Sequence, residues 1–290
     1  YDNWDIDDYY TEKSWDVDNL TKLEWTEMGP VRATLRLEYE IAGVTVAQDV
    51  RFYADSRRID FETVVDWTLH QHLLKVEFPV AVHSDEATFD IQFGSLKRKV
   101  HKNTSWDKAR FEYGGQKWMD FSEGHYGVAL LNDCKYGHSV SNGVLSLTLI
   151  KSGIEPNPDA DVEKHYFTYA IMPHGGGWRE GGVVREGYKL NQPAYALAEA
   201  AEGLSYSFAS AEPANIVLET VKAAEDGSGT VLRLYECDDA LTKASLRLPE
   251  GTKRAFKCNL LEEREEELEI DGGRAALTFK PFEIVTILCE

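Results

Sequence analysis

From Val31 to Ile41 every second residue is apolar: Val31, Ala33, Leu35, Leu37, Tyr39 and Ile41 alternate with Arg32, Thr34, Arg36, Glu38 and Glu40. A period of two sends the two sets to opposite sides of a strand, one for a core and one for water. The pattern then recurs: Val44, Val46, Val50, Phe52; Ile59, Phe61, Thr63, Val65, Trp67; Leu74, Val76, Phe78, Val80, Val82; Ala87, Phe89, Ile91, Phe93. Gly43, Asp55-Ser56 and Ser84-Asp85 separate these runs as turns. Further strands are expected over 117–121, 128–131, 144–150 and 166–172. Parallel strands need crossover connections, usually helical, and no alternation of strands with long helical patterns exists here. The pattern therefore predicts a large antiparallel sandwich.

The segment 155–161 is acidic and Pro-rich, and Gly175-Gly176-Gly177-Trp178 reads as a flexible run. The one helical candidate is 194–202, rich in Ala, Glu and Leu and ended by Gly203; two turns are marginal in isolation. A shift in composition around Pro213 marks a boundary. Beyond it, strands are expected at 216–221, 231–237, 244–248, 255–261, 268–270, 275–279 and 284–288, with the charged run 262–267 as a surface loop. Asp226-Gly-Ser-Gly229, Pro249-Glu-Gly251 and Asp271-Gly-Gly273 supply the positive φ of tight hairpins. The expected fold is all-β: a large sandwich over residues 1–210 and a small β-sandwich over 211–290.

With 43% hydrophobic residues the chain can fill a core. A formal net charge of -19 repels polyanions, so neither nucleic acid nor an anionic membrane surface is an expected partner. No apolar run reaches the roughly 18 residues of a membrane-spanning helix. Cys134, Cys237, Cys258 and Cys289 have neither chelating spacing nor the density of a disulfide scaffold; they read as reduced thiols of a cytoplasmic protein. Two glycosylation sequons, at Asn19 and Asn103, point the other way.

Self-contained catalytic motifs are missing. No serine elbow, phosphate-cradling glycine loop or Cys-His arrangement occurs. Asp5 and Asp7 would share a strand face and could ligate a cation, or simply be solvated. His70 and His72 point the same way on a strand, but zinc needs a third ligand. Trp4, Trp15, Trp106, Trp118 and Trp178 sit in or beside loops, where indole faces suit sugar rings or core packing.

Several longer segments carry a family likeness. Tyr1–Asp7 (YDNWDID), Asp60–Trp67 (DFETVVDW), Leu73–Val80 (LLKVEFPV), Asn103–Asp107 (NTSWD), Tyr126–Gly137 (YGVALLNDCKYG), His165–His174 (HYFTYAIMPH) and Glu219–Asp226 (ETVKAAED) resemble, in order, glycoside hydrolase family 38, the α-mannosidases, in its cytosolic and bacterial branch. The resemblance implies the C-terminal β region of such an enzyme: a galactose-mutarotase-like supersandwich followed by a small sandwich. In that family an N-terminal α/β domain holds the zinc ion and an Asp nucleophile, and a three-helix bundle follows it. Neither is matched here, so no catalytic residue, metal ligand or cofactor is assigned to this chain.

The resemblance further implies strands upstream of Tyr1. An unpaired edge would then be exposed, or covered by another copy in a homo-oligomer. It places Asn132, Asp133, Lys135, Lys151 and His174 near the face that meets the catalytic domain, hence near substrate. Lys151 stands where the family often has Arg, keeping the charge but not the bidentate fork. The implied function is the scaffold, and rim of the sugar site, of a retaining zinc-dependent enzyme that hydrolyses terminal α-mannosides. Two alternatives are a stand-alone carbohydrate-binding module and a mutarotase-like epimerase.

Overall fold

The computed structural model describes residues 3–6, 8–197 and 205–290. It divides into two compact units, one formed by 1–91 and 96–194, the other by 92–95 and 195–290. Both are built from antiparallel strands, and the fold is all-β.

In the first unit a nine-stranded sheet faces a four-stranded one. The larger sheet runs, edge to edge, through Leu20–Met28, Arg32–Ile41, Val44–Tyr53, Ile59–Asp66, Lys164–Gly175, Tyr126–Asn132, Trp118–Ser122, Glu86–Ile91 and Gly94–Lys99. The smaller runs through His72–Pro79, Val144–Ser152, Gly137–Ser141 and Tyr113–Gly114. Val44, Val46, Val65, Phe89, Met119, Phe121, Leu130, Leu145 and Leu147 meet in one core cluster. These are the inward members of the alternating runs.

The middle strands of the large sheet are apolar on both sides. Trp118, Ala129, Leu131, Ala170 and Met172 form a second cluster with Trp178 and Val183, which belong to the helices Trp178–Gly181 and Val183–Asn191. The glycine run is thus the entry to a helical cover. Arg58 fastens the longer helix: its guanidinium makes a two-pronged pair with Asp60 (2.6 and 3.0 Å) and reaches the Glu186 carboxylate at 3.4 Å. Gly187 lets that helix approach closely, because a Cβ there would meet the Trp118 ring at 3.0 Å.

At the opposite end, Leu20–Met28 pairs with Arg32–Ile41 alone among the described strands. The apolar side of these outer strands is left open: Leu23 is 61% and Trp25 49% exposed.

The second unit contains a three-stranded sheet and a five-stranded sheet, with Ile216, Leu232, Leu246, Leu277, Phe279 and Ile287 in their shared core. Two expectations are corrected. Arg264–Leu268 is an edge strand paired with Ala255–Cys258, not a loop. Residues 194–197 of the expected helix have no regular structure, and 198–202 lie outside the described residues. All four cysteines are free, and no helix among the described residues is long and apolar enough to cross a membrane.

One buried acid of the first unit carries a pH signature. Asp90 is 5% exposed; it accepts the Lys117 amide at 2.9 Å while the Lys117 ammonium stays 3.8 Å away. Burial outweighs that hydrogen bond and pushes its pKa up to about 6. A raised carboxyl pKa means that the folded state prefers the protonated form. Its contribution is full below the unfolded value near 4 and is lost as pH rises through about 6. Asp90→Asn should therefore stabilise the chain by about 1–3 kcal/mol at pH 8 and by little at pH 4, read from urea midpoints.

Candidate functional site

The smaller sheet turns its non-core side to a groove of about 1,080 Å³. Separated stretches build it. The floor comes from His72–Pro79, Val144–Ser152 and residues 139–142, one wall from Ile6 and residues 9–17 and the other from 99–113. Because Leu74, Val76, Leu145 and Leu147 enter the core, alternation turns Lys75, Glu77, Ser146 and Thr148 outward.

A buried ion pair anchors the floor. The Lys75 ammonium donates to Glu112 and, at 2.8 Å, to Thr148, whose hydroxyl in turn donates to Glu112. The Lys75 and Glu112 side chains are only 12% and 11% exposed. Tyr10 covers the pair, its ring centre 5.4 Å from the ammonium. Burial first, then Glu112 and Glu77, push the Tyr10 phenol up. Gly137 makes room for the pair, since a Cβ there would run into the Glu112 carboxylate.

Aromatic rings line the wall made by Ile6 and residues 9–17. Trp15 stacks on His72 with ring centres 6.1 Å apart, and the Lys13 ammonium lies 4.8 Å from its ring centre. Tyr9 and Trp15 remain 62% and 61% exposed. On the other wall, the short helix Ser105–Lys108 is fixed by a capping box between Thr104 and Asp107.

Of the five substrate-proximal candidates, Lys151 lines this groove. Its ammonium donates to the Asp5 carbonyl and its amide to Asp161 at 3.1 Å, so it ties the first wall to the sheet. Asn3 helps, accepting the Gly153 amide at 3.2 Å and donating to the Glu155 carbonyl at 3.0 Å.

The other four lie elsewhere. Asn132 is fully buried; its amide donates to the Gln116 carbonyl at 2.8 Å and approaches His138 Nε2 at 3.3 Å. Burial drives the pKa of His138 down to about 4, so it stays a neutral packing element that donates from Nδ1 to the Tyr136 carbonyl. Asp133 accepts the Thr168 amide at 2.9 Å and leaves Oδ1 buried without a partner. The Lys135 ammonium lies 4.8 Å from the Phe167 ring centre. His174 is 3% exposed and bonded to Asp120 at 2.6 Å, with Ser122 donating to the other Asp120 oxygen at 2.5 Å. Its ring sits between Gly127 and Gly181, at either of which a Cβ would strike it. Asn132 and His174 are thus buried and engaged in internal hydrogen bonds.

His70 and His72 direct Nδ1 to the carbonyls of Pro158 and His70, at 3.1 and 2.7 Å. Among the described residues no group of three or more His, Cys, Asp or Glu side chains is placed to hold a metal ion. The described residues do not fit zinc, and Asp7, which the sequence pairs with Asp5 as a possible cation ligand, lies outside them. Trp118 and Trp178 pack against each other in the interior at 5.3 Å, whereas Trp106 is exposed.

Two antiparallel sandwiches, one with a polar groove on its smaller sheet, define the class of fold as an all-β region. The profile described as "Glycosyl hydrolases family 38 C-terminal domain" matches residues 1–159, and that described as "Glycosyl hydrolases family 38 C-terminal beta sandwich domain" matches 215–287. The chain belongs to glycosyl hydrolase family 38, as its C-terminal region. Human Alpha-mannosidase 2C1 is 39% identical over 297 residues, covering 99% of this chain and 29% of that protein. Alpha-mannosidase G of Dictyostelium discoideum is 37% identical, over 99% of this chain and 27% of its own length. An alpha-mannosidase crystal structure from Enterococcus faecalis V583 superposes with a TM-score of 0.79 at 19% identity, covering 94% of this chain and 35% of that one; it shares the fold. The chain therefore spans less than a third of the curated relatives it matches.

Proposed function

We propose that this chain is the non-catalytic β region of a retaining, zinc-dependent α-mannosidase acting on terminal α-mannosides in the cytoplasm. Zinc and nucleophile belong to a catalytic domain outside this sequence, and the chain alone is inactive. The observation that carries the reading is the match of α-mannosidases over 99% of the chain, alongside a described structure in which no metal-binding cluster is present. Residues 1–210 form the large mutarotase-like part and 211–290 the small sandwich.

Within this reading Lys151 holds the wall formed by Ile6 and residues 9–17 against the sheet, and Asn132, Asp133, Lys135 and His174 set the loops beside the catalytic domain. Exposed Tyr9 and Trp15, with the polar sheet face between the walls, favour contact with carbohydrate. In the full-length enzyme Lys151→Ala removes the exposed charged hydrogen bond that positions this wall, and through the displaced wall should lower kcat/KM for an oligomannoside about tenfold. Its melting temperature should hardly change. Wild-type kinetics in both Lys151→Ala and Asp133→Ala would reduce these loops to scaffold.

A further inference from the structure

The groove runs against the charge of its own protein. The chain carries 31 Lys and Arg against 50 Asp and Glu, yet the described groove lining holds six Lys or Arg (Lys13, Lys75, Lys99, Lys102, Arg110, Lys151) and three acids, Asp16, Glu77 and Asp107. Some of those cations are already neutralised. Lys75 is paired with Glu112, and Lys99 with Asp85 and Glu86 at 2.8 and 3.0 Å. Lys13 and Lys102 face rings, at 4.8 Å from Trp15 and 6.0 Å from Phe111. Among the described residues Lys13, Lys102 and Arg110 form no direct ion pair, and Lys151 meets only a neutral carbonyl. Four cations thus remain against the three acids of the lining, a positive balance within an acidic chain, and a cleft of that sign draws anions.

A second observation points to a hydroxyl-rich ligand. Ser146 on the floor is 4% exposed, and its hydroxyl is buried without a partner. On the wall, His101 Nδ1 is likewise buried and unbonded, 3.5 Å from Asp107. Buried polar atoms are nearly always satisfied by protein or by what binds there. Tyr9 and Trp15 add apolar ring surface, and the groove slightly exceeds the roughly 300–1,000 Å³ of small-molecule clefts, room enough for more than a monosaccharide.

We propose that this groove binds an anionic saccharide. Sugar rings lie against Tyr9 and Trp15, a hydroxyl engages Ser146, and a phosphate or carboxylate of the same molecule is held by Lys102 and Arg110. The inference rests on the carbohydrate reading above and narrows it. Aromatic surface and an orphan hydroxyl together favour a saccharide over an acidic peptide.

The test is isothermal titration of the 290-residue chain with mannose 6-phosphate, glucuronate, mannose, inorganic phosphate and a hexaglutamate peptide. At least one acidic sugar should bind about tenfold or more tightly than mannose or phosphate alone, and weaken as salt is raised. The first two ligands tell a phosphate from a carboxylate. Lys102 and Arg110 are exposed, so the double variant K102A/R110A should keep its fold, checked by circular dichroism, and lose about tenfold in affinity. Ser146→Ala should weaken the acidic sugar and leave phosphate unchanged. The proposal is overturned if mannose binds as tightly as the acidic sugars, if phosphate accounts for all the affinity, if hexaglutamate binds best, if the double variant binds normally or if no sugar binds. The last result would leave the α-mannosidase reading intact, because that reading is tested by turnover in the full-length enzyme.

Discussion

Lys75→Met should destabilise the chain by about 3–5 kcal/mol, because it leaves the Glu112 carboxylate buried without its cation. Lys75 and Glu112 are nearly as inaccessible as core residues, and Thr148 is the remaining donor to that carboxylate. The loss should appear as a drop in the urea midpoint with an unchanged slope. Removing both charges is a different matter. Since two buried ions are desolvated to make one pair, K75M/E112L should recover most of the stability. A single variant as stable as wild type would show that the groove floor is hydrated and the pair weak. The consequence for function is direct: this pair, under Tyr10, fixes the floor on which the first wall rests.

Arg58→Met should cost a similar amount, about 3–5 kcal/mol, by stranding Asp60. Asp60 would keep the Tyr53 hydroxyl at 3.1 Å but lose both prongs of the guanidinium. The same substitution frees Glu186, and with it the helix Val183–Asn191, from its tie to Arg58. Hydrogen exchange should therefore rise first in that helix, ahead of the sheet. Uniform exchange throughout would mean that Trp178 and Val183 hold the helix without help.

Strands are legible where a long alternating run faces a core; Gly137–Ser141, which sends Val140 into the core, is too short to show one. Val44–Tyr53 and Ile59–Asp66 emerge from alternation because one face of each is buried in the shared core. Leu20–Met28 was not, since nearly all of its residues are exposed and no burial contrast marks its faces. Arg264–Leu268 escaped because its consecutive charges contradict strand composition. Its ladder with Ala255–Cys258 and the Arg254–Glu267 pair at 2.9 Å prevail over that composition. The helix Val183–Asn191 was hidden by Gly181, Gly182 and Gly187, which lower helix propensity. Gly181 and Gly187 are needed for close approach to His174 and Trp118.

The groove itself left no trace in residue spacing. Lys75 and Glu112 are 37 positions apart, and Lys151 and Asp5 146 apart. Only the fold brings them together. Asn132 and His174 share familiar segments with neighbouring loop residues, yet each is directed inward by its strand.

The central claim, that this chain is a non-catalytic β region of a metal-dependent α-mannosidase, is tested most directly by turnover. The purified 290-residue chain is assayed on an aryl α-mannoside with and without added zinc, beside the full-length enzyme. The account predicts hydrolysis by the full-length enzyme and none above background by the chain in either condition. Turnover by the chain that survives purification to homogeneity would contradict it.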